Sequence, residues 1–91
     1  MQEIRTDIKT YRPLNTIARE IRADWKVVPY NARPYLNAMS TLLTIKDTYY
    51  AESAESVVLY FLSNAGTWRG PVAKRIKAEL KAMLKDAGAI S

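Results

Sequence analysis

Residues 70–84, GPVAKRIKAELKAML, decide the fold, because they contain the most regular helical pattern in the chain. Pro71 stands at a favourable first helical position, directly after Gly70. At 100° per residue, five apolar side chains of this segment and the residues just after it fall within one arc of about 80°. They are Val72, Ile76, Leu80, Met83 and Ala87, and Leu84 widens the stripe. The pattern predicts an amphipathic helix that buries this stripe and ends at Gly88.

The segment before it, residues 53–66, predicts a second helix. Ser53 is a suitable N-cap, six apolar residues follow in succession from Val57, and Gly66 marks the end. Such a run is also compatible with a buried strand, but no partner strand is evident elsewhere in the sequence. As a helix it is apolar on nearly all sides, which predicts a central position in the core.

Two more helices are predicted upstream. Asn15 is the expected N-cap of a helix over residues 16–25, and Pro34 starts another that continues through Leu43. Residues 1–13 form either a short helix or an arm. The short connections favour an all-α fold, a compact bundle-like single domain (residues 1–91) of four helices, or of five if the N-terminal segment is helical.

The composition excludes several kinds of chemistry. The 91 residues include no cysteine and no histidine, which excludes disulfides, imidazole catalysis and the usual zinc sites. Phosphate loops, nucleophile elbows and carboxylate dyads are also missing, so we expect no catalytic residue, cofactor, metal site or small-molecule substrate. No apolar run approaches the ~18 residues of a membrane helix. With no signal peptide evident at the N-terminus, the sequence predicts a cytoplasmic protein without a membrane partner.

Charge is distributed unevenly. The net charge is +5, and residues 67–91 contain six basic residues against two acidic ones, whereas residues 34–66 contain one against three. On the last helix four lysines share one arc, opposite the apolar stripe. They are Lys74, Lys77, Lys81 and Lys85. In the same helix, Arg75 and Glu79 are the one favourable pair at a spacing of four residues. Like-charged neighbours destabilise a helix slightly, so this arrangement suggests a binding surface.

The loop before the last helix adds Arg69 and Trp68 to that surface. Arg69 brings a further positive charge beside a helix N-terminus, where unpaired N–H groups favour phosphate, and an exposed Trp68 would stack on a base. The predicted nucleic-acid or anion-binding residues are therefore Arg69, Lys74, Lys77, Lys81, Lys85 and Trp68. The alternative is that the lysines only keep the domain soluble and that Trp68 packs against the end of the helices.

Tyr49 and Tyr50 are candidates for a protein interface. They adjoin an acidic turn, and tyrosine is frequent at interfaces because it is amphipathic and has few rotatable bonds. The alternative is that a small domain needs both rings in its core. A monomer or a weak homodimer is expected.

A resemblance bears on the biological setting. Four segments within residues 21–80 carry this resemblance: IRADWK, ARPYLNAM, YFLSNAGTWRG and AKRIKAEL. In these segments the sequence resembles a group of small uncharacterised proteins of bacteriophages and integrated mobile elements. The resemblance implies a phage-like accessory or regulatory protein. Together with the charge pattern it suggests a non-enzymatic protein that associates with nucleic acid, or with an acidic protein, through its last helix. The alternative is a protein–protein interaction module that modulates or inhibits a host or phage protein.

Overall fold

Four helices and one short hairpin make up residues 11–90, the part of the chain that the computed structural model describes. In chain order they are α1 (Leu14–Asp24), α2 (Arg33–Met39), β1 (Thr48–Tyr49), β2 (Glu52–Ser53), α3 (Ala54–Ser63) and α4 (Pro71–Asp86). The fold is mostly helical, and the small sheet corrects the all-α prediction. The possible helix or arm over residues 1–13 lies mainly outside the described residues. None of the helices within residues 11–90 is long and apolar enough to cross a membrane.

The core draws side chains from all four helices. α3 packs against α2 and α4, and α1 packs against the same two helices. Val57, Val58 and Phe61 of α3 are buried, which confirms that the apolar run is a helix and contributes about 1.5–3 kcal/mol per large side chain. α3 was predicted to be apolar on nearly all sides and central; it packs against two helices, but Tyr60 is 48% exposed, so one side of it faces solvent.

α1 begins two residues earlier than predicted, because residues from elsewhere in the chain satisfy its first backbone N–H groups. The N–H of Leu14 donates to the carbonyl of Leu43 at 2.8 Å, and the N–H of Asn15 donates to that of Leu42 at 2.9 Å. Asn15 is therefore inside the helix, and Pro13 takes the N-cap position. Long-range backbone bonds here replace the expected side-chain cap.

α2 ends at Met39, four residues before the predicted end. Ser40 and Thr41 turn their hydroxyls back onto carbonyls of the last helical turn, at 2.6 and 2.8 Å, an interaction that competes with helix continuation. Leu42 is buried and Leu43 is 56% exposed. The early end leaves the carbonyls of both leucines available to cap α1.

The hairpin between α2 and α3 was not predicted. Its register pairs Tyr49 with Glu52, so Tyr50 and Ala51 form a two-residue turn. Asp47 directly precedes the hairpin, and its carboxylate accepts two N–H groups of the preceding loop, at 2.8 and 3.0 Å. Those two bonds, from Thr44 first and then Leu43, lower the pKa of Asp47.

α4 follows the prediction closely. Ile76, Leu80 and Met83 are buried as expected, and Ala73 and Leu84 join them. Ser53 also caps α3 as predicted, accepting the N–H of Ser56 at 3.1 Å. The two glycines that flank α4 have φ values of 111° and 80°, conformations that favour glycine.

Candidate functional site: the cationic face of α4

Three lysines form a straight row on the exposed side of α4. Lys74, Lys81 and Lys85 are exposed and lie within an arc of about 40° at 100° per residue. The helical rise separates Lys74 from Lys81 by about 10 Å and Lys81 from Lys85 by about 6 Å. Arg69 is exposed in the loop just before the helix. We call Arg69, Lys74, Lys81 and Lys85 the cationic face.

The carboxylates that might neutralise α4 are engaged with its other side. Glu79 accepts two bonds from Arg12, at 2.7 Å from Nη2 and 3.0 Å from Nε. Glu20 of α1 accepts a 2.8 Å bond from Arg12 Nη1 and also pairs with Arg75. These contacts raise the pKa of Arg12 and lower that of Glu20, for which Arg75 is the larger cause. The predicted pair of Arg75 with Glu79 is therefore wrong, because each residue has a partner that joins α4 to the chain around α1.

The described part of the chain places no counter-charge in contact with the cationic face. Within residues 11–90, no carboxylate oxygen lies within 4.0 Å of a charged nitrogen of its four members. Arg12, Arg75 and Lys46 each have such a partner. Other exposed cations of this part of the chain, such as Arg22 and Arg33, also lack one, so it is the grouping of its four members that distinguishes the face. Among the described residues, the four positive charges of the face therefore have no carboxylate partner.

Lys77 does not belong to this face, which corrects the predicted role of one lysine. Its Nζ donates to the carbonyls of Ala65 and Trp68, each at 2.7 Å. Desolvation is the main cause that lowers the pKa of Lys77, and the positive charges of Lys81 and Arg69 lower it further. The partly buried ammonium thus holds the loop between α3 and α4 in place.

A signal for this role was present in the sequence. On the helical wheel Lys77 lies about 20° from Leu84 and about 40° from Ala73, both of which are buried. Lys74, by contrast, lies about 80° from Leu84. A lysine at the border of the apolar stripe covers the core with its methylene stem and directs its ammonium to nearby polar atoms.

Trp68 is buried, so the predicted base stacking by this residue is wrong. Its side chain is 2% exposed and stacks on Trp25, with ring centroids 5.6 Å apart and planes at 14°. Phe61 meets the ring edge-on at 6.4 Å, and Nε1 donates to Asp24 Oδ2 at 2.8 Å. The alternative prediction, that Trp68 packs against the end of the helices, is confirmed.

Two depressions follow the cationic face. A cleft of about 450 Å³ opens at the start of α4 between Arg69 and Lys74. A shallow depression of about 410 Å³ is lined by Lys81 and Lys85 together with Ala78, Ala82 and Ile90. Small side chains beside the cations allow an elongated ligand to approach the helix closely.

Tyr49 and Tyr50 are brought together at the hairpin, away from the lysines. Their rings meet edge to face with centroids 4.8 Å apart. Tyr49 is half-buried against the core, whereas Tyr50 is 89% exposed at the turn and has a φ of 55°. One ring thus packs and the other is presented to solvent, a combination of the two sequence interpretations.

The described residues include no group of three or more aspartates and glutamates placed to hold a metal ion. Comparisons of this chain with protein-family models, with curated proteins and with solved structures gave no match. The resemblance to small phage proteins therefore stays a prediction, and functional interpretation rests on the geometry of the chain itself.

Proposed function

We propose that this protein binds the phosphate backbone of nucleic acid through the cationic face, as a small non-enzymatic accessory or regulatory protein. The observation that carries the proposal is the set of four exposed cations without a carboxylate partner within residues 11–90. Elsewhere in the described chain, Glu20 and Glu79 are paired with arginines. Proximity of like charges is unfavourable, and a polyanion removes that cost.

The shape of the face favours a linear polyanion over a small anion. The lysine row extends about 16 Å from Lys74 to Lys85, and one phosphate contacts only part of such a row. The alanines beside the lysines offer no obstacle to a sugar-phosphate strand. A continuous strand, with its regularly spaced phosphates, neutralises all four cations at once.

The proposed binding is sequence-independent. The cationic face contains no glutamine or asparagine to read base edges, and Trp68 is packed into the core. Recognition therefore depends on phosphates, and affinity depends steeply on salt. A role in coating or recruiting nucleic acid fits this mode, and selection of one operator sequence does not.

The test is titration of a fluorescein-labelled duplex of about 20 base pairs, followed by anisotropy at low salt. The Lys74→Gln/Lys81→Gln variant removes two members of the face. Arg33→Gln/Lys46→Gln removes the same charge elsewhere: Arg33 begins α2, which packs against α1 and α3, and Lys46 is paired with Glu55. We expect roughly tenfold weaker binding for each lysine removed from the face.

The control variant separates a binding surface from a general charge effect. If both double variants bind the duplex equally, net charge alone explains the affinity and the proposal is wrong. Absence of duplex or single-strand binding even at low salt also refutes it. Equal binding of polyglutamate and the duplex redirects the proposal to an acidic protein as the partner.

A further inference from the structure

A shallow groove lies between α2, the hairpin and α3. Its volume is about 190 Å³, and the residues that line it are Pro34, Tyr35, Ala38, Tyr49, Glu52 and Val57. Ala38 and Val57 are each 2% exposed and form its floor. Small-molecule pockets usually measure about 300–1,000 Å³. This groove is smaller, so it suits a few side chains of a peptide laid across it.

Tyr35 and Tyr49 line the groove, and each of these rings contacts a second tyrosine outside the lining. On one side the ring of Tyr60 packs on Tyr35 with centroids 5.4 Å apart, and on the other Tyr50 meets Tyr49 at 4.8 Å. None of the four hydroxyls has a hydrogen-bond partner among residues 11–90. The groove therefore presents aromatic walls and unused O–H donors together.

The most exposed of these rings is held in an unfavourable backbone conformation. Tyr50 is 89% exposed and has a φ of 55°, a value that costs a bulky residue about 1–3 kcal/mol. Within the described chain it is the one non-glycine residue with positive φ. An asparagine or glycine fits this turn position better. The fold therefore does not explain the tyrosine, and binding of a partner by the exposed ring does.

We propose that this groove binds a proline-rich segment of a partner protein, in the polyproline II conformation, with an arginine at one end. A polyproline II segment makes no internal backbone hydrogen bonds, so its carbonyls accept bonds from tyrosine hydroxyls. Its proline rings stack against aromatic walls, and the preformed conformation loses little entropy on docking. Tyr35 and Tyr49 beside a shallow apolar floor, with the neighbouring rings of Tyr60 and Tyr50, supply both contacts.

The arginine follows from charge complementarity. Glu52 lines the groove and has no cationic partner among the described residues, whereas neighbouring Glu55 is 3.7 Å from Lys46. Residues 34–66, which contribute every lining residue, contain one basic residue against three acidic ones. Arginine also stacks well on tyrosine faces. A cationic segment is therefore attracted to this part of the surface.

The groove and the cationic face are separate surfaces. No lining residue of the groove belongs to α4, and α4 packs against α1 and α3. Both ligands are therefore expected to bind at once, and the groove proposal does not depend on the proposed nucleic-acid binding. One protein with both sites would connect a nucleic acid to a proline-rich partner.

The experiment titrates the isotope-labelled protein with a panel of synthetic peptides of about ten residues, followed by amide chemical shifts. The panel places one arginine at either end of a Pro-Pro-Leu repeat, and matched peptides replace arginine by glutamate or proline by glycine. We expect saturable shifts at Ala38 and Val57 with the arginine peptides. We expect little response with the glycine peptides, which lack the preformed conformation.

Three variants assign the contacts. Tyr50→Asn removes the exposed ring at a turn position that asparagine tolerates, and Tyr60→Ser removes the ring on the opposite side; each is expected to weaken binding about fivefold or more. Tyr30→Ala is the matched control, because Tyr30 is 86% exposed and, among the described residues, has no ring contact with Tyr35 or Tyr49, which line the groove. In Glu52→Gln, the preference for arginine over glutamate peptides should fall several-fold.

Three results would overturn the proposal. One is no saturable shift at the groove with any peptide up to about 1 mM. Another is equal weakening by Tyr30→Ala and Tyr50→Asn. The third is a concentration-dependent homodimer, in the absence of peptide, whose interface covers these tyrosines. Thermal unfolding of each variant establishes beforehand that it is folded.

Discussion

Lys77 and Lys81 stand one turn apart on α4, and the structure assigns them opposite roles. Lys77 Nζ donates to the carbonyls of Ala65 and Trp68, each at 2.7 Å, whereas Lys81 is exposed on the cationic face. Replacing either residue by methionine removes one charge and keeps an unbranched apolar side chain. The first change should affect stability, and the second should affect nucleic-acid binding.

The size of the stability effect follows from the bonds that Lys77 makes. A hydrogen bond to a charged group contributes about 1.5–3 kcal/mol. Desolvation of the ammonium and repulsion by the positive charges of Lys81 and Arg69 oppose this stabilisation, and both lower the pKa of Lys77. The two bonds less this cost leave about 2 kcal/mol for Lys77→Met, or about 8–16 °C in Tm for a domain of this size. Lys81→Met should lie within about 0.5 kcal/mol of the parent.

Urea unfolding followed by the fluorescence of Trp25 and Trp68 measures the stability change, because unfolding separates the stacked rings. Anisotropy of the labelled duplex measures nucleic-acid binding, and Lys81→Met should bind the duplex about tenfold more weakly than the parent. Lys77→Met should bind nearly as well as the parent under conditions in which it is folded. The reasoning is refuted if Lys77→Met is as stable as Lys81→Met, or if it loses as much affinity.

Three further predictions concern the backbone and pH. Gly70→Ala should destabilise the protein by about 1–3 kcal/mol because φ at this position is 111°. Gly66 also has open space around it but lies outside the left-handed region, so Gly66→Ala should stabilise by about 0.4–1 kcal/mol; equal effects of the two substitutions in denaturant unfolding would contradict this. Tyr50→Asn should raise stability by about 1 kcal/mol, since asparagine tolerates positive φ; a lower Tm would argue against a strained turn. The pKa values of Glu20 and Asp47 are lowered in the folded state, so the stability that they contribute is present above about pH 5 and is lost as pH falls through the folded values. A Glu20→Gln/Asp47→Asn variant should therefore lose stability at neutral pH and show a shallower acid decline, and an unchanged acid profile would contradict the assignment.

Local patterns predicted the helices better than they predicted the connections. The apolar period of α4, its proline start and the Ser53 cap are properties of neighbouring residues, and all three were readable from the sequence. The hairpin was not, because Tyr50-Ala51 has neither the asparagine nor the glycine that marks a two-residue turn. The start of α1 also escaped prediction, since its N–H groups are bound by carbonyls of a segment almost thirty residues away.

In the candidate site, too, local helical geometry could be predicted and contacts between distant parts of the chain could not. The row of Lys74, Lys81 and Lys85 follows from helical geometry alone, so the sequence was sufficient to place these residues on one side. The inward turn of Lys77 depends on two loop carbonyls that only the folded connection between α3 and α4 brings within reach. Burial of Trp68 likewise depends on contacts with Trp25 and Asp24, at the C-terminal end of α1.

The dependence of duplex affinity on salt tests the central claim most directly. If all four cations of the face contact phosphates, log K should fall with log salt at a slope of about −3.6, or about 150-fold between about 50 mM and about 200 mM. The Lys74→Gln/Lys81→Gln variant should reduce the slope to about −1.8, and Arg33→Gln/Lys46→Gln should leave it unchanged. A slope near zero for the parent, or the same slope in both double variants, would contradict the proposal that the cationic face binds the phosphate backbone.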